Sequence, residues 1–238
     1  MEPVFFKQPL QHALFLKRLN RFSVLVQLPR GEQQVFYLPN SGRLAELLTP
    51  GADVIVSEEY SFNRKTKGDL LLVRDNSSKK WVCVDSRLPL KLLNKNLAAQ
   101  AEILPFPNWE ILKREPRFHR GRFDFLLGKG SERCFIEAKS VTLVKNGAAL
   151  FPDAPTSRGQ RHLKELASIR ENGYRCAVIF IIQRDDAFCF TPNSKMDPLF
   201  ANYLDEAVSR NVEVYAYRCQ VSPSRVVLAS PLPVSTHF

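Results

Sequence analysis

Two acidic residues and a lysine lie close together in the segment from residue 120 to residue 140. The Gly-rich stretch GKGS at 128–131 separates two strand-like runs, so a β-hairpin is predicted here. A symmetric turn pairs Phe125 with Ile136 and places Asp124 opposite Glu137. Lys139 then lies two residues beyond Glu137 on the same face. The opposite face of the hairpin is apolar and is predicted to pack in the core.

Facing carboxylates need a compensating partner, because like charges across a β-ladder destabilise it. A divalent cation fits this role, since Mg²⁺ is commonly held by one or two carboxylates and completes its shell with water and phosphate oxygens. Such an ion activates water and stabilises the charge on a reacting phosphodiester, with the Lys139 ammonium beside it. The pattern predicts metal-dependent hydrolysis of a nucleic-acid backbone, with Mg²⁺ or Mn²⁺ as cofactor. The alternative is an exposed strand whose acids pair with Arg122 and Lys139.

The segment before the hairpin contains the signals of a β-domain. Six short runs of β-branched, aromatic and aliphatic residues are separated by Gly, Pro, Asn and Ser. The predicted strands are 12–19, 22–28, 33–38, 53–58, 69–74 and 79–84. Short strands at this spacing predict a small closed barrel over residues 1–84.

The periodicity changes after residue 85. A leucine stripe predicts a helix over 88–104, with Asp85 or Ser86 as its cap. Further strands are predicted at 110–117, 122–127, 133–139, 175–183 and 212–218, and helices at 157–172 and 198–210. This mixture predicts an α+β chain of two domains, the second spanning residues 85–238.

The charge balance favours a polyanionic partner. The chain carries 34 Lys and Arg against 24 Asp and Glu, a net charge of +10 on 238 residues. Such an excess attracts nucleic acid, although the same charge spread evenly would only keep the protein soluble.

The apolar runs and the cysteines indicate the cellular compartment in which the protein is expected. The longest apolar run covers residues 176–182, far below the ~20 residues of a membrane-spanning helix, so no membrane association is expected. The five cysteines form no CxxC pair and sit mostly in apolar runs, as expected for reduced thiols of a cytoplasmic protein.

Three basic clusters are candidate nucleic-acid contacts. Beside the hairpin are Lys113, Arg114, Arg117, Arg120 and Arg122; in the barrel are Arg18, Arg21, Arg64, Lys65 and Lys67; near the start of the helix at 157–172 are Arg158, Arg161 and Lys164. The helix start also has a possible capping box from Ser157 to Gln160, with Thr156 as another possible cap. The barrel bases are interspersed with Phe22 and Phe62, which are predicted to be core residues or stacking platforms.

Four segments resemble one known family. They are YLPNSGRL at 37–44, GRFDFLL at 121–127, FIEAKSVTL at 135–143 and FPDAPTSRGQRHLKEL at 151–166. Together they closely resemble the sugar fermentation stimulation protein family of bacteria and archaea, over nearly the whole chain. The resemblance implies an OB-like DNA-binding barrel over 1–84 and a PD-(D/E)XK nuclease-like domain over 85–238, a restriction-endonuclease-like fold with a mixed sheet. It also implies DNA binding without strong sequence preference and a regulatory role in maltose and related sugar metabolism.

The resemblance also implies a set of site residues. Asp124, Glu137 and Lys139 become the acidic motif and lysine of a nuclease-like site, with Glu115 as an additional acidic metal ligand. One departure is Gly121, where the family usually has Ser.

Residues of the 151–166 segment are added with less support. Gln160 is placed at the rim of the active site, and His162 is a weaker candidate that is otherwise a packed helix histidine. Asp153 is either a further acid or a turn residue. The turn at 40–42 matches the family closely, but its role does not follow from the sequence.

The sequence leaves more than one function open. The first is a metal-dependent DNA endonuclease or exonuclease. The second is a non-catalytic DNA-binding regulatory module with a vestigial nuclease fold, because a fold can be retained for binding alone. A weaker third is an RNA-directed enzyme. A homodimer is compatible with all three.

Overall fold

The barrel predicted at the start of the chain is present. The computed structural model describes residues 1–7, 9–59, 65–118 and 121–235. Its first seven strands are β1 Val4–Phe5, β2 Leu10–Asn20, β3 Ser23–Gln27, β4 Gln33–Tyr37, β5 Asp53–Glu58, β6 Gly68–Arg74 and β7 Trp81–Cys83. Six of them form one sheet in the order β4-β3-β2-β5-β6-β7, and a bridge from Tyr37 to Asp69 joins β4 to β6. That bridge closes β2 to β6 into a barrel around buried aliphatic and aromatic side chains.

The second domain is built on a mixed sheet of seven strands. The remaining strands are β8 Glu110–Arg114, β9 Arg117–Phe118, β10 Gly121–Arg122, β11 Phe125–Lys129, β12 Glu132–Val141, β13 Leu143–Lys145, β14 Ala148–Phe151, β15 Arg175–Ile182, β16 Cys189–Pro192, β17 Glu213–Val221 and β18 Arg225–Pro231. The large sheet has the order β1-β18-β17-β15-β12-β11-β8, with parallel pairing of β15 to β12 and to β17. Smaller sheets combine β9 with β10, and β14 with β13 and β16.

The first strand departs from the predicted division of the chain. β1 pairs with β18 at the edge of the large sheet, so residues 4–5 belong to the second domain although the sequence places residues 1–84 in the barrel. A strand of two residues has no measurable alternation, which is why the pattern does not reveal it. The same limit explains why β13, β14 and β16 are absent from the prediction.

Helices cover both faces of the large sheet. α1 Leu88–Ala98 packs on one face, and α2 Ser157–Glu171 and α3 Pro198–Ser209 pack on the other. The helix predicted over 88–104 ends six residues early, where Gln100 adopts φ 50° and donates its side-chain amide to the Trp109 carbonyl. Its N-cap position is held by Arg87, not by Asp85 or Ser86. No helix among the described residues is long and apolar enough to cross a membrane.

The hairpin register is confirmed, but the face that carries Glu137 and Lys139 is covered and not exposed. Phe125 pairs with Ile136, as the symmetric turn predicts. Because α2 and α3 cover the other face, Phe135 is buried there together with Glu137. Phe123 packs against Phe135 on this face. Strict alternation predicts that Phe123 lies on the apolar face together with Phe125. The acids therefore lie beneath helices.

Buried polar contacts join the two domains. Arg184, which follows β15, donates to Asp75 of the barrel domain at 2.7 Å and to both carboxylate oxygens of Asp186. Cys83 and Gln183 are connected through the backbone, with the Cys83 N–H donating to the Gln183 carbonyl. These contacts hold the barrel against the end of β12 that carries the predicted site.

Candidate active site

Asp124 is held beside β12 by two hydrogen bonds. Its backbone N–H donates to the Ile136 carbonyl at 3.0 Å, and its Oδ2 accepts from the Ala138 N–H at 2.7 Å. The carboxylate therefore stands next to the strand segment that carries Glu137 and Lys139. The structure brings together the three residues that the hairpin pattern predicts.

Glu137 is the centre of a buried polar cluster. Its side chain is almost inaccessible, at 4% exposure, and its Oε1 accepts from the Lys139 ammonium at 2.6 Å. The same oxygen contacts Nδ1 of His162, on α2. An ionised carboxylate only accepts hydrogen bonds, so His162 carries its proton on Nδ1 in this contact.

The second oxygen of Glu137 has no partner. Oε2 is buried and makes no hydrogen bond among the described residues. Leaving a buried acceptor unsatisfied costs about 1–3 kcal/mol, more when the group is charged. This oxygen is therefore available to a cation or a donor that enters the site.

The two carboxylates have pKa values shifted in opposite directions. Burial, and then the negative charge of Glu137, raise the pKa of Asp124 to about 7. Burial also opposes ionisation of Glu137, but Lys139 and His162 outweigh it and hold the pKa of Glu137 below its usual range. Two neighbouring acids separated in this way are typical of functional sites.

The acids lie in a cavity between the two domains. It has a volume of about 390 Å³ and is lined by Asp124, Glu137 and Lys139 together with the 150–156 segment of the second domain and the 40–42 turn of the barrel. Asp153 joins these walls, because its carboxylate accepts from the Leu44 N–H at 3.3 Å. A Cβ at Gly42 would collide with that carboxylate, so the approach requires glycine. The 40–42 turn therefore forms one wall of the site.

Arg18 supports that wall. All of its guanidinium nitrogens donate to backbone carbonyls, namely those of residues 20, 21, 40, 42 and 43. The sequence predicts Arg18 as a nucleic-acid contact, but the structure commits its donors to fixing the turn. Among the predicted barrel bases that the structure describes, Arg21 alone lines the cavity.

His162, and not Gln160, contacts Glu137. The Gln160 amide donates to both oxygens of Asp197, at 2.9 and 3.1 Å, and Asp197 in turn caps α3. Residues two apart on a helix point to nearly opposite sides, so Gln160 cannot reach the acids that His162 contacts. The cap of α2 is Thr156, which accepts from the Gly159 N–H, and not a Ser157–Gln160 box.

Sequence reasoning undervalues His162, although a signal for it exists. Gly159, His162, Leu163 and Leu166 form one buried stripe of α2 at helical spacing. A histidine in an apolar stripe needs a polar partner, and Glu137 is the buried acid on the facing strand.

Glu115 is not placed as a third ligand. Its side chain is 64% exposed, pairs with Arg122 at 3.6 Å and does not line the cavity. Glu115 therefore does not contribute the additional acid that the resemblance implies for the cavity. Within the described residues, no group of three His, Cys, Asp or Glu comes together as a metal site. Of the three acids in the cavity lining, Asp124 and Glu137 stand together, a pair that suits a hard ion completed by water and phosphate oxygens, while Asp153 bonds to the barrel.

The other predicted bases spread over the surface. Arg158 joins Arg21 in lining the cavity. Arg114, Arg117, Arg122, Arg161 and Lys65 are exposed outside it, and Lys67 is half-buried. Arg64, Arg120 and Phe62 lie outside the described residues.

Comparisons with known proteins agree over both domains. The family model described as "SfsA N-terminal OB domain" matches residues 16–84, and the one described as "Sugar fermentation stimulation protein RE domain" matches residues 87–225. A sugar fermentation stimulation protein homolog of Moorella thermoacetica is 46% identical, covering 93% of this chain and 95% of its own. The homolog of a Thermoanaerobacter species is 41% identical, covering 95% and 97%. The solved structure of Pyrococcus furiosus SfsA in complex with Ca²⁺ superposes with a TM-score of 0.84 at 32% identity, covering 96% of this chain and 97% of that one.

Proposed function

Because the chain belongs to the sugar fermentation stimulation protein family, we propose that it binds DNA without strong sequence preference and hydrolyses phosphodiester bonds with a divalent cation. The observation that carries this proposal is the buried, unpartnered Oε2 of Glu137 next to Asp124 and Lys139. Unpartnered buried oxygens also occur on Glu165, Asp185 and Asp205, but none of these lines the cavity beside a second acid, as Glu137 does.

Asp124 and Glu137 would hold the cation, which is Mg²⁺ or Mn²⁺. The P. furiosus relative was solved with Ca²⁺, which prefers the same oxygen ligands. When bound, such an ion acidifies water and offsets the charge of a phosphodiester in the transition state. The two carboxylates leave most of its positions to water and phosphate.

The remaining residues orient and neutralise. Lys139 is nearly buried and holds its ammonium against Glu137, where it can orient a water or offset charge on a phosphate oxygen. His162 fixes the Glu137 carboxylate from the opposite element by occupying Oε1. Arg21 and Arg158, on the cavity walls, supply positive charge to the flanking phosphates.

Cleavage assays test this proposal directly. Supercoiled, linear, single-stranded and branched DNA are incubated with Mg²⁺, Mn²⁺ or a chelator, using wild type, Glu137→Gln and Lys139→Ala. We expect metal-dependent products from wild type and a loss of about a hundredfold or more in each variant, the scale of removing a charge-stabilising group.

Glu115→Gln is the matched control, because it alters an exposed acid close in sequence to the site. It should cleave like wild type. Metal-dependent products that persist in both Glu137→Gln and Lys139→Ala would show that the site is elsewhere.

A second candidate function is a non-catalytic DNA-binding module that regulates maltose and related sugar metabolism. The exposure of Glu115 favours it, because only Asp124 and Glu137 then stand together, whereas Asp153, the third acid of the cavity lining, accepts from the Leu44 N–H. This module would bind DNA with an affinity that falls steeply with salt, as phosphate contacts require, and would cut none of the four substrates.

A further inference from the structure

Phe22 and Tyr37 form an aromatic pair beside Arg21, a residue of the cavity lining. Phe22, in the turn between β2 and β3, is 42% exposed, and its ring stacks on Tyr37 at 6.2 Å with an interplanar angle of 25°. The Arg21 guanidinium lies 5.4 Å from the centre of the Phe22 ring. Because Arg21 also lines the cavity, it connects the aromatic pair to the acids.

Phe22 is not needed for the barrel core. The other phenylalanines of the described barrel strands, Phe15 and Phe36, are almost fully buried. Phe22 is nevertheless held in place, since its N–H donates to the Asn20 side chain and its carbonyl accepts from the Leu38 N–H. A fixed, exposed ring beside a guanidinium is what a nucleobase needs for stacking.

The depth of the acids restricts which DNA can reach them. Glu137 and Lys139 are 4% and 9% exposed, and the cavity of about 390 Å³ is at the small end of pockets that take one small ligand. The phosphates of a duplex lie on a broad cylinder with both faces of each base covered by its neighbours. We therefore expect a phosphodiester to reach these acids on a strand that has left the duplex.

We propose that the cavity receives a single unpaired DNA strand, with one base stacked on Phe22 and its phosphate backbone passing Arg21 toward the acids. This inference rests on the proposed function for the identity of the ligand and adds the form of the substrate. Arg158 also lines the cavity, and its positive charge offsets a small part of the rise that burial causes in the pKa of Asp124. Arg87 faces Tyr37 but donates to Asp69 and Asp85, so no phosphate is assigned to it.

Binding in the presence of a chelator tests the stacking site without cleavage. Anisotropy is measured with a fluorescein-labelled single-stranded oligodeoxynucleotide and with the matching blunt duplex. We expect Phe22→Ala to weaken single-strand binding by about five- to a hundredfold, the range for one lost base stack, and duplex binding by less than about twofold. Phe22→Trp should keep the affinity, and its indole fluorescence should be quenched on binding.

Phe5→Ala is the matched control. Phe5 is 60% exposed and has the Arg225 guanidinium 5.9 Å from its ring, but it lies on β1, four strands from β12. It should bind both DNAs like wild type. Equal losses in Phe5→Ala and Phe22→Ala, or no loss in Phe22→Ala, would overturn the inference.

The inference and the proposed function fail in different ways. If wild type cuts no DNA but Phe22→Ala still loses single-strand affinity, catalysis is wrong and the stacking site stands. If wild type cuts duplex as fast as single strands and Phe22→Ala does the same, catalysis stands and the single-strand entry is wrong. If wild type binds no DNA, both are wrong.

Discussion

The Arg184 cluster at the domain junction and the acids of the cavity each place carboxylates beside a cation, yet the two sets of carboxylate oxygens differ in how completely they are hydrogen-bonded. At the junction, Arg184 donates to Asp75 and Asp186, and Asp75 also accepts from Ser77. Burial disfavours ionisation of Asp75, but these bonds outweigh it and lower its pKa to about 2. In the cavity, Glu137 retains a free oxygen and the pKa of Asp124 is raised to about 7.

The difference separates structural charge from functional charge. A saturated cluster stabilises the fold, because each buried atom regains the bonds it had in water. An unsaturated cluster is tolerated only where a ligand supplies what is missing, and it lowers stability in the meantime.

The largest effect is expected at the junction. Arg184→Gln leaves Asp75 and Asp186 buried without their cation, so the free energy of unfolding should fall by about 3–5 kcal/mol. Urea denaturation followed by circular dichroism measures it. Arg210→Gln is the control, because its pairs with Glu171 and Glu206 are exposed and should contribute less than about 1 kcal/mol. Equal losses of unfolding free energy in both variants would show that Arg184 does not stabilise the domain junction.

A smaller effect is expected from the helix that faces the acids. His162→Ala removes the donor that fixes Glu137, so metal affinity and kcat/KM should fall by about 10–100-fold. His162→Asn places an amide N–H near the position of Nδ1 and should recover part of the loss. Metal affinity is measured by calorimetry with Mn²⁺ in the absence of DNA. A purely packing role for His162 would be restored equally well by His162→Leu.

The smallest effect is expected at Asp124, and it has the opposite sign. The folded pKa of about 7 exceeds the unfolded value, so between pH 4 and 7 the folded protein binds more protons and stability falls as pH rises. Asp124→Asn keeps an acceptor for the Ala138 N–H and removes this titration. In chelator at pH 8 it should be more stable by roughly 0.5–2 kcal/mol, while cleavage is lost. Thermal unfolding at pH 5 and pH 8 measures this difference in stability. If Asp124→Asn were less stable than wild type at pH 8, the ionised Asp124 would not be destabilising.

Local patterns predict the barrel strands, the helices and the hairpin register. Each depends on alternation or helical spacing within a dozen residues, as in the pairing of Phe125 with Ile136. The acids and Lys139 follow from that register alone. Short strands such as β1 and β16 carry too few residues for any period to show.

Features that depend on distant segments are not predictable in this way. Arg184 and Asp75 are far apart in the chain, and the QRDD sequence around Arg184 resembles an exposed turn. Glu115 adopts φ 51° between β8 and β9, a backbone conformation that no sequence pattern indicates, and its exposed side chain pairs with Arg122. The contact of Gly42 with Asp153 likewise appears only when both domains are assembled.

The pairing of β1 with β18 has a consequence for the order of synthesis. Val4 leaves the ribosome more than two hundred residues before its partner Val226. The barrel strands between them can pair as soon as they emerge, because nearly all of their contacts are with one another. β1 must wait for its partner, so this edge of the large sheet is completed only after β18 has been synthesised.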